Sequence, residues 1–338
     1  MNKLTPQAAE YPGSAWERHD GSGWSPLQLA KLRESLSGKK TMAVMIIQGG
    51  RVVDQWGDID RKIEVRSIRK SILSALYGIH VAEGRIDLGK TLEQLGIDDR
   101  PPALTAGEKQ ATILDLLRAR SGVYHAAARE TVAMRAGRPP RGSHSPGTFY
   151  YYNNWDFNVL GKIFENETGK SPFREFFDRI AEPIGMQDFA PTDGRWAGAE
   201  GSTVGGDSDY LNYVYSLTAR DLARFGYLYL RNGRWGDKQV VPAAWVTRST
   251  TSYTDFDGPP PLVADATGYG FLWWTHSWGY SAIGHGGHVL AVVPSKDLVI
   301  VHRVHFAPPR EDVVSYQDIF AMVRMTIDAA PAASDLID

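Results

Sequence analysis

Ser67-Ile68-Arg69-Lys70 puts a hydroxyl and an amine three residues apart. A helical pattern starts there, with Ile68, Ile72, Leu76 and Ile79 in register. In a helix, positions i and i+3 share a face, so Lys70 can reach the Ser67 hydroxyl. A serine in the first turn also holds its oxygen near backbone N–H groups, which favour developing negative charge. An ordinary lysine is protonated at neutral pH and cannot take a proton. Burial or a neighbouring cation lowers its pKa and makes it a base. The pair therefore offers a nucleophile activated without a histidine. The pattern is weak alone, because Ser37-Gly38-Lys39-Lys40 repeats it. That copy follows a helix and contains a glycine, which places it in a turn before a strand, where the two side chains need not meet.

Two further segments carry chemistry. Tyr150-Tyr151-Tyr152-Asn153-Asn154 precedes a helical stretch, and Gly284-His285-Gly286-Gly287-His288 falls between two strand patterns. In this order the chain resembles the serine β-lactamase and penicillin-binding-protein superfamily. The likeness is to its class C-like branch, with esterase, D-aminopeptidase and 6-aminohexanoate-dimer hydrolase relatives. The boxes of that family are S-x-x-K, Y-x-N, and K-T-G or H-x-G. Here they are met by residues 67–70, 152–154 and 285–287. Asp115-Leu116-Leu117 leading to Ser121-Gly122, Thr218-Ala219-Arg220-Asp221 and Gly268-Tyr269-Gly270 are also similar to family stretches, so the likeness spans residues 42–304. Tyr151 and Tyr210 fit Y-x-N as well; the distance to Gly161 selects Tyr152.

The resemblance implies two-step acyl transfer. Ser67 attacks a carbonyl and forms an acyl-enzyme, which water hydrolyses. Lys70 and Tyr152 act as a coupled pair for the proton. Asn154 hydrogen-bonds Lys70 and a substrate amide, or instead caps the next helix. The backbone N–H groups of Ser67 and His288 receive the oxyanion, and Gly286 and Gly287 let substrate approach the strand. His285 stands where β-lactamases have a lysine that attracts the substrate carboxylate. A histidine is largely neutral near pH 7, which favours esters, small amides or D-amino-acid peptides. The alternatives are a β-lactamase or D-Ala-D-Ala carboxypeptidase, and a catalytically silent ligand-binding relative. Arg66 and Arg69 flank the nucleophile and are expected on a solvated helix face, the alternative being that they help hold Lys70 neutral or bind an anionic group. His285 and His288 are odd-spaced on an extended chain, which puts them on opposite faces and makes no metal site.

The elements that must position these groups are legible in outline. The 338 residues are 43% hydrophobic, enough for a large core. A formal net charge of −2 gives no electrostatic case for nucleic acid. No stretch nears the roughly 18 apolar residues of a membrane span. Residues 1–7 hold no apolar signal core, which points to the cytoplasm. The absence of cysteine excludes thiol nucleophiles and disulfides, and no cofactor is implied. Ser25-Pro26 opens a helix, and residues 41–47 and 51–56 read as a hairpin. Helices follow at 113–120, 156–168, from Ser171 and from Thr218; strands return at 270–275, 280–284, 288–294 and 298–305, and a helix covers 312–329. Residues 197–209 and 257–265 read as long loops. The expected fold is α/β (α+β): an antiparallel sheet flanked by helices, with an inserted all-helical lobe, β-lactamase/transpeptidase-like. Residues 1–84 with 235–338 would form the sheet domain and 85–234 the helical one.

Overall fold

The computed structural model describes residues 10–198, 208–254, 263, 265–307 and 310–331. Most of both long loops therefore lies outside the described residues. In chain order the strands are β1 (Thr41–Gln48), β2 (Arg51–Gly57), β3 (Ile63–Glu64), β4 (Gly194–Ala197), β5 (Asn212–Leu217), β6 (Arg234–Trp235), β7 (Lys238–Gln239), β8 (Gly268–Tyr269), β9 (Trp274–His276), β10 (Gly279–Gly284), β11 (His288–Val293), β12 (Leu298–Val304), β13 (Phe306–Ala307) and β14 (Arg310–Glu311). The helices are α1 (Pro26–Ser35), α2 (Arg69–Ala82), α3 (Ile113–Leu117), α4 (Val132–Ala136), α5 (Asn154–Thr168), α6 (Pro172–Phe176), α7 (Ala219–Leu230), α8 (Ala243–Ser249) and α9 (Tyr316–Ala329).

Seven strands form one antiparallel sheet in the order β2-β1-β12-β11-β10-β9-β8. Helices cover both faces. Neighbours on a strand point to opposite sides, and β10 shows both layers at once. Tyr280 donates from its hydroxyl to the Tyr229 carbonyl on α7. Ser281 bonds His276, whose ring lies 5.4 Å from Phe320 of α9. This double cover explains why residues 43–48 of β1 are buried without alternation. A second sheet, β3-β5-β4, is separate. It delivers the chain from β3 into the segment bearing Ser67.

The first-box helix is more deeply placed than its pattern suggests. Every residue of α2 from Arg69 to His80 is buried, polar ones included. It runs between α5, α6 and α8. An α-helix buried on all sides must give its polar groups internal partners. Ser71 donates to the Leu272 carbonyl at 2.7 Å, and Tyr77 to the Leu160 carbonyl at 2.7 Å. The expected boundaries shift at several ends: α5 starts at Asn154, α9 at Tyr316, and residues 270–273 separate β8 from β9. Among the described residues no helix is long and apolar enough to cross a membrane.

Candidate active site

Ser67 lies in a 3₁₀ turn, Arg66–Ile68, that leads into α2. Arg66, just before it, has φ 54°, a left-handed conformation that costs a non-glycine residue on the order of 1 kcal/mol. Lys70 follows within the first turn of α2 and is 2% exposed. Its Nζ stands 2.7 Å from Ser67 Oγ and 2.9 Å from the Tyr152 hydroxyl. Burial holds the Lys70 amine well below its ordinary pKa, and the adjacent Arg69 guanidinium adds to this. The same burial pushes the Tyr152 phenol up to about 12, against a hydrogen bond with Ser67 and the field of Arg69. Burial thus acts in one sense on both groups: it favours the uncharged amine of Lys70 and the uncharged phenol of Tyr152.

Aromatic packing fixes Tyr152. Its ring stacks on Trp274 at 5.4 Å and tilts against Phe157 at 4.9 Å. Tyr151 turns away, donating from its hydroxyl to the Met134 carbonyl at 2.7 Å. The first two boxes, 82 residues apart, therefore meet through Lys70.

The third box is a tight turn. Gly284 pairs with His288 across β10 and β11, and residues 285–287 make the bend. The Ser67 turn packs directly on this point. A Cβ on Gly284 would lie 2.6 Å from the Val65 carbonyl oxygen and 3.0 Å from Arg66 Cβ. Only glycine lets the strand end approach the Ser67 segment so closely. Gly287 has φ 108°, and a Cβ there would lie 2.8 Å from the Val314 carbonyl oxygen. That glycine thus makes room for the segment before α9, where the sequence suggested room for substrate. His285 is exposed in the turn, whereas His288 is fully buried. The strand-alternation argument does not apply to His285, which is not on a strand.

The structure redistributes several expected roles. The cap of α5 is Asn153, whose side chain accepts from the Trp155 N–H at 3.2 Å. Asn153 also donates to the Val123 carbonyl at 2.6 Å. Asn154 donates instead to the Arg129 carbonyl at 3.1 Å, and no hydrogen bond joins it to Lys70 among the described residues. Arg69 is not on a solvated face. It is 3% exposed, donates to Asn158 Oδ1 at 3.1 Å and lies 4.1 Å over the Tyr213 ring. Periodicity missed it because the partners come from α5 and β5. Arg66 is half-buried and pairs with Glu64 at 3.2 Å, as Arg129 does at 3.0 Å.

Ser67, Tyr152, Asn154, Trp274, His285 and Tyr316 line one cleft of about 390 Å³, in the usual range for a small-molecule site. Ser67 opens onto it, while Lys70 sits behind. The sequence profile described as Beta-lactamase matches residues 30–319. Solved structures share the fold. An inferred 6-aminohexanoate-dimer hydrolase from Bacillus anthracis is 22% identical, with 95% of this chain and 87% of that one covered at a TM-score of 0.65. A penicillin-binding-protein homologue from Pyrococcus abyssi, described as octameric, is 19% identical, with 89% and 77% covered at 0.62. A D-stereospecific amidohydrolase from Streptomyces sp. is 18% identical, with 89% and 98% covered at 0.58.

Proposed function

Since the chain belongs to the beta-lactamase family of serine hydrolases, we propose that it cleaves small esters or amides through an acyl-enzyme on Ser67. The contact of Lys70 Nζ with both Ser67 Oγ and the Tyr152 hydroxyl carries this reading. Lys70, as the free amine, takes the Ser67 proton while Oγ bonds to the substrate carbonyl carbon. The oxyanion that forms is received by the backbone N–H groups of Ser67 and His288. As the tetrahedral species collapses, the bond to the leaving group breaks. Its proton comes from the Tyr152 hydroxyl, which Lys70 reprotonates. Water then repeats the sequence on the acyl ester and returns Ser67. A phenol with its pKa near 12 relays a proton without standing as a base at neutral pH, so Lys70 is the base and Tyr152 the acid.

The third box supports the substrate class. His285 replaces the fixed positive charge of the lysine version, which removes a strong carboxylate anchor and favours uncharged esters and small amides over β-lactams. The test is labelling with a fluorophosphonate probe, then turnover of p-nitrophenyl acetate, p-nitrophenyl butyrate and nitrocefin. Labelling and ester turnover should vanish in Ser67→Ala. An unlabelled wild-type protein without turnover would mark a silent binding protein. Nitrocefin cleaved faster than the esters would make it a β-lactamase.

A further inference from the structure

Arg303, on β12, is fully buried. Among the described residues no carboxylate pairs with it, an uncommon state for a buried cation. Burial lowers its pKa to about 9, so it stays charged at neutral pH. All three of its nitrogens donate, and to three different segments. Nε donates to His288 Nδ1 at 3.1 Å. Nη1 donates to the Leu217 carbonyl at 3.1 Å. Nη2 donates to the carbonyls of Ile63 at 2.9 Å and Glu64 at 3.3 Å.

These acceptors belong to parts that no strand pairing connects. Ile63, Glu64 and Leu217 lie in the small sheet, where β3 pairs with β5. His288 opens β11 of the seven-stranded sheet. Three residues beyond Glu64 the chain reaches Ser67. The nucleophile segment therefore hangs from one sheet and the third box from the other. One planar, rigid side chain holds both.

We infer that Arg303 is a positioning residue for acyl transfer, a strut that sets the distance between the backbone N–H groups of Ser67 and His288. The inference rests on the reading of those two groups as the oxyanion hole. Transition-state stabilisation by preorganised donors depends on their placement, and a shift of ~1 Å can cost on the order of 10²-fold in rate. The strut needs no contact with substrate to have that effect. Its signature is selective: the reaction slows while ground-state binding stays.

The experiment is Arg303→Lys, which keeps the charge but cannot span the four acceptors from one nitrogen. The enzyme is titrated with a fluorophosphonate, so that only folded sites are counted. Titrated kcat on p-nitrophenyl acetate should fall about 10²-fold, with KM within about threefold. Affinity for phenylboronic acid, which forms a tetrahedral adduct on the serine, should weaken in proportion to kcat/KM. A loss of fold alone would lower the count of titratable sites and leave the kcat of those remaining. Folded Arg303→Lys with kcat and boronate affinity within threefold of wild type overturns the strut. Should Arg303→Lys fail to fold, His288→Leu decides: it removes the Nδ1 acceptor and keeps the backbone N–H. The same selective loss is expected, and unchanged kcat overturns the inference. If wild-type enzyme does not label at Ser67, the proposed reaction falls and the strut with it. A labelled wild type with indifferent variants sinks the strut alone.

Discussion

Lys70→Met separates the chemistry of Lys70 from its contribution to folding. The thioether chain fills much the same volume and removes the amine that touches Ser67 Oγ and the Tyr152 hydroxyl. A positioned proton-transfer group contributes about 10²–10⁴ in rate, so kcat/KM should fall by that factor, or ~3–5 kcal/mol of barrier at ~1.4 kcal/mol per tenfold. Stability should not follow activity. Two hydrogen bonds are lost, each worth ~0.5–1.5 kcal/mol net. Against this, burial and then Arg69 depress the folded pKa of Lys70. Between that folded pKa and the unfolded value of about 10.4, the unfolded chain binds one more proton than the native one. Wild-type stability therefore rises with pH through this window, by up to ~1.4 kcal/mol per unit. The variant escapes that penalty. At pH 7 its melting temperature should match or exceed wild type, and its relative advantage should shrink as pH climbs towards 10. Calorimetry at pH 7 and 9.5, with p-nitrophenyl acetate kinetics at pH 7, reads both quantities. An activity loss under tenfold, or an advantage that grows with pH, would refute the reasoning.

Tyr152→Phe keeps the stack on Trp274 and removes only the hydroxyl proposed as the proton relay, so kcat should drop by about 10²-fold. Tyr151→Phe, whose hydroxyl donates to the Met134 carbonyl and away from Lys70, should stay within about threefold in the same ester assay. Arg69→Met removes the cation that helps depress Lys70. The Lys70 pKa must then rise, and the acid limb of the kcat/KM–pH profile should move to higher pH; an unmoved or lowered limb would show that Lys70 is not the titrating base.

The hairpin β1–β2, the first-box helix and the late strands were legible because each is a local pattern: alternation or long apolar runs, a 3.6-residue period, a turn signal. The spacing of Ser67 and Lys70 was legible for the same reason. What escaped was set by residues far away in the chain. Arg69 reads as a surface residue until α5 and β5 close over it. The choice between Asn153 and Asn154 as the α5 cap depends on which side chain finds the Val123 carbonyl, 30 residues upstream. The crowding at Gly287 comes from Val314, and Arg303 matters only because two unconnected sheets meet at its side chain.

The second S-x-x-K copy shows how much of the site these distant residues supply. Ser37 and Lys40 carry the same two functional groups at the same spacing, yet both are exposed, in the turn after α1. There both side chains face water, and no packed wall surrounds them. At Ser67 the spacing supplies only the contact. The shift of Lys70 comes from packing: α5, α6 and α8 close around α2, Arg69 opposes the charge, and Tyr152, held by Trp274, sets its hydroxyl against the amine. The motif names the partners, and the tertiary structure supplies the environment that the proposed reaction needs. For that reason, substitutions in the walls around Lys70 should disable the enzyme as surely as substitutions in the motif.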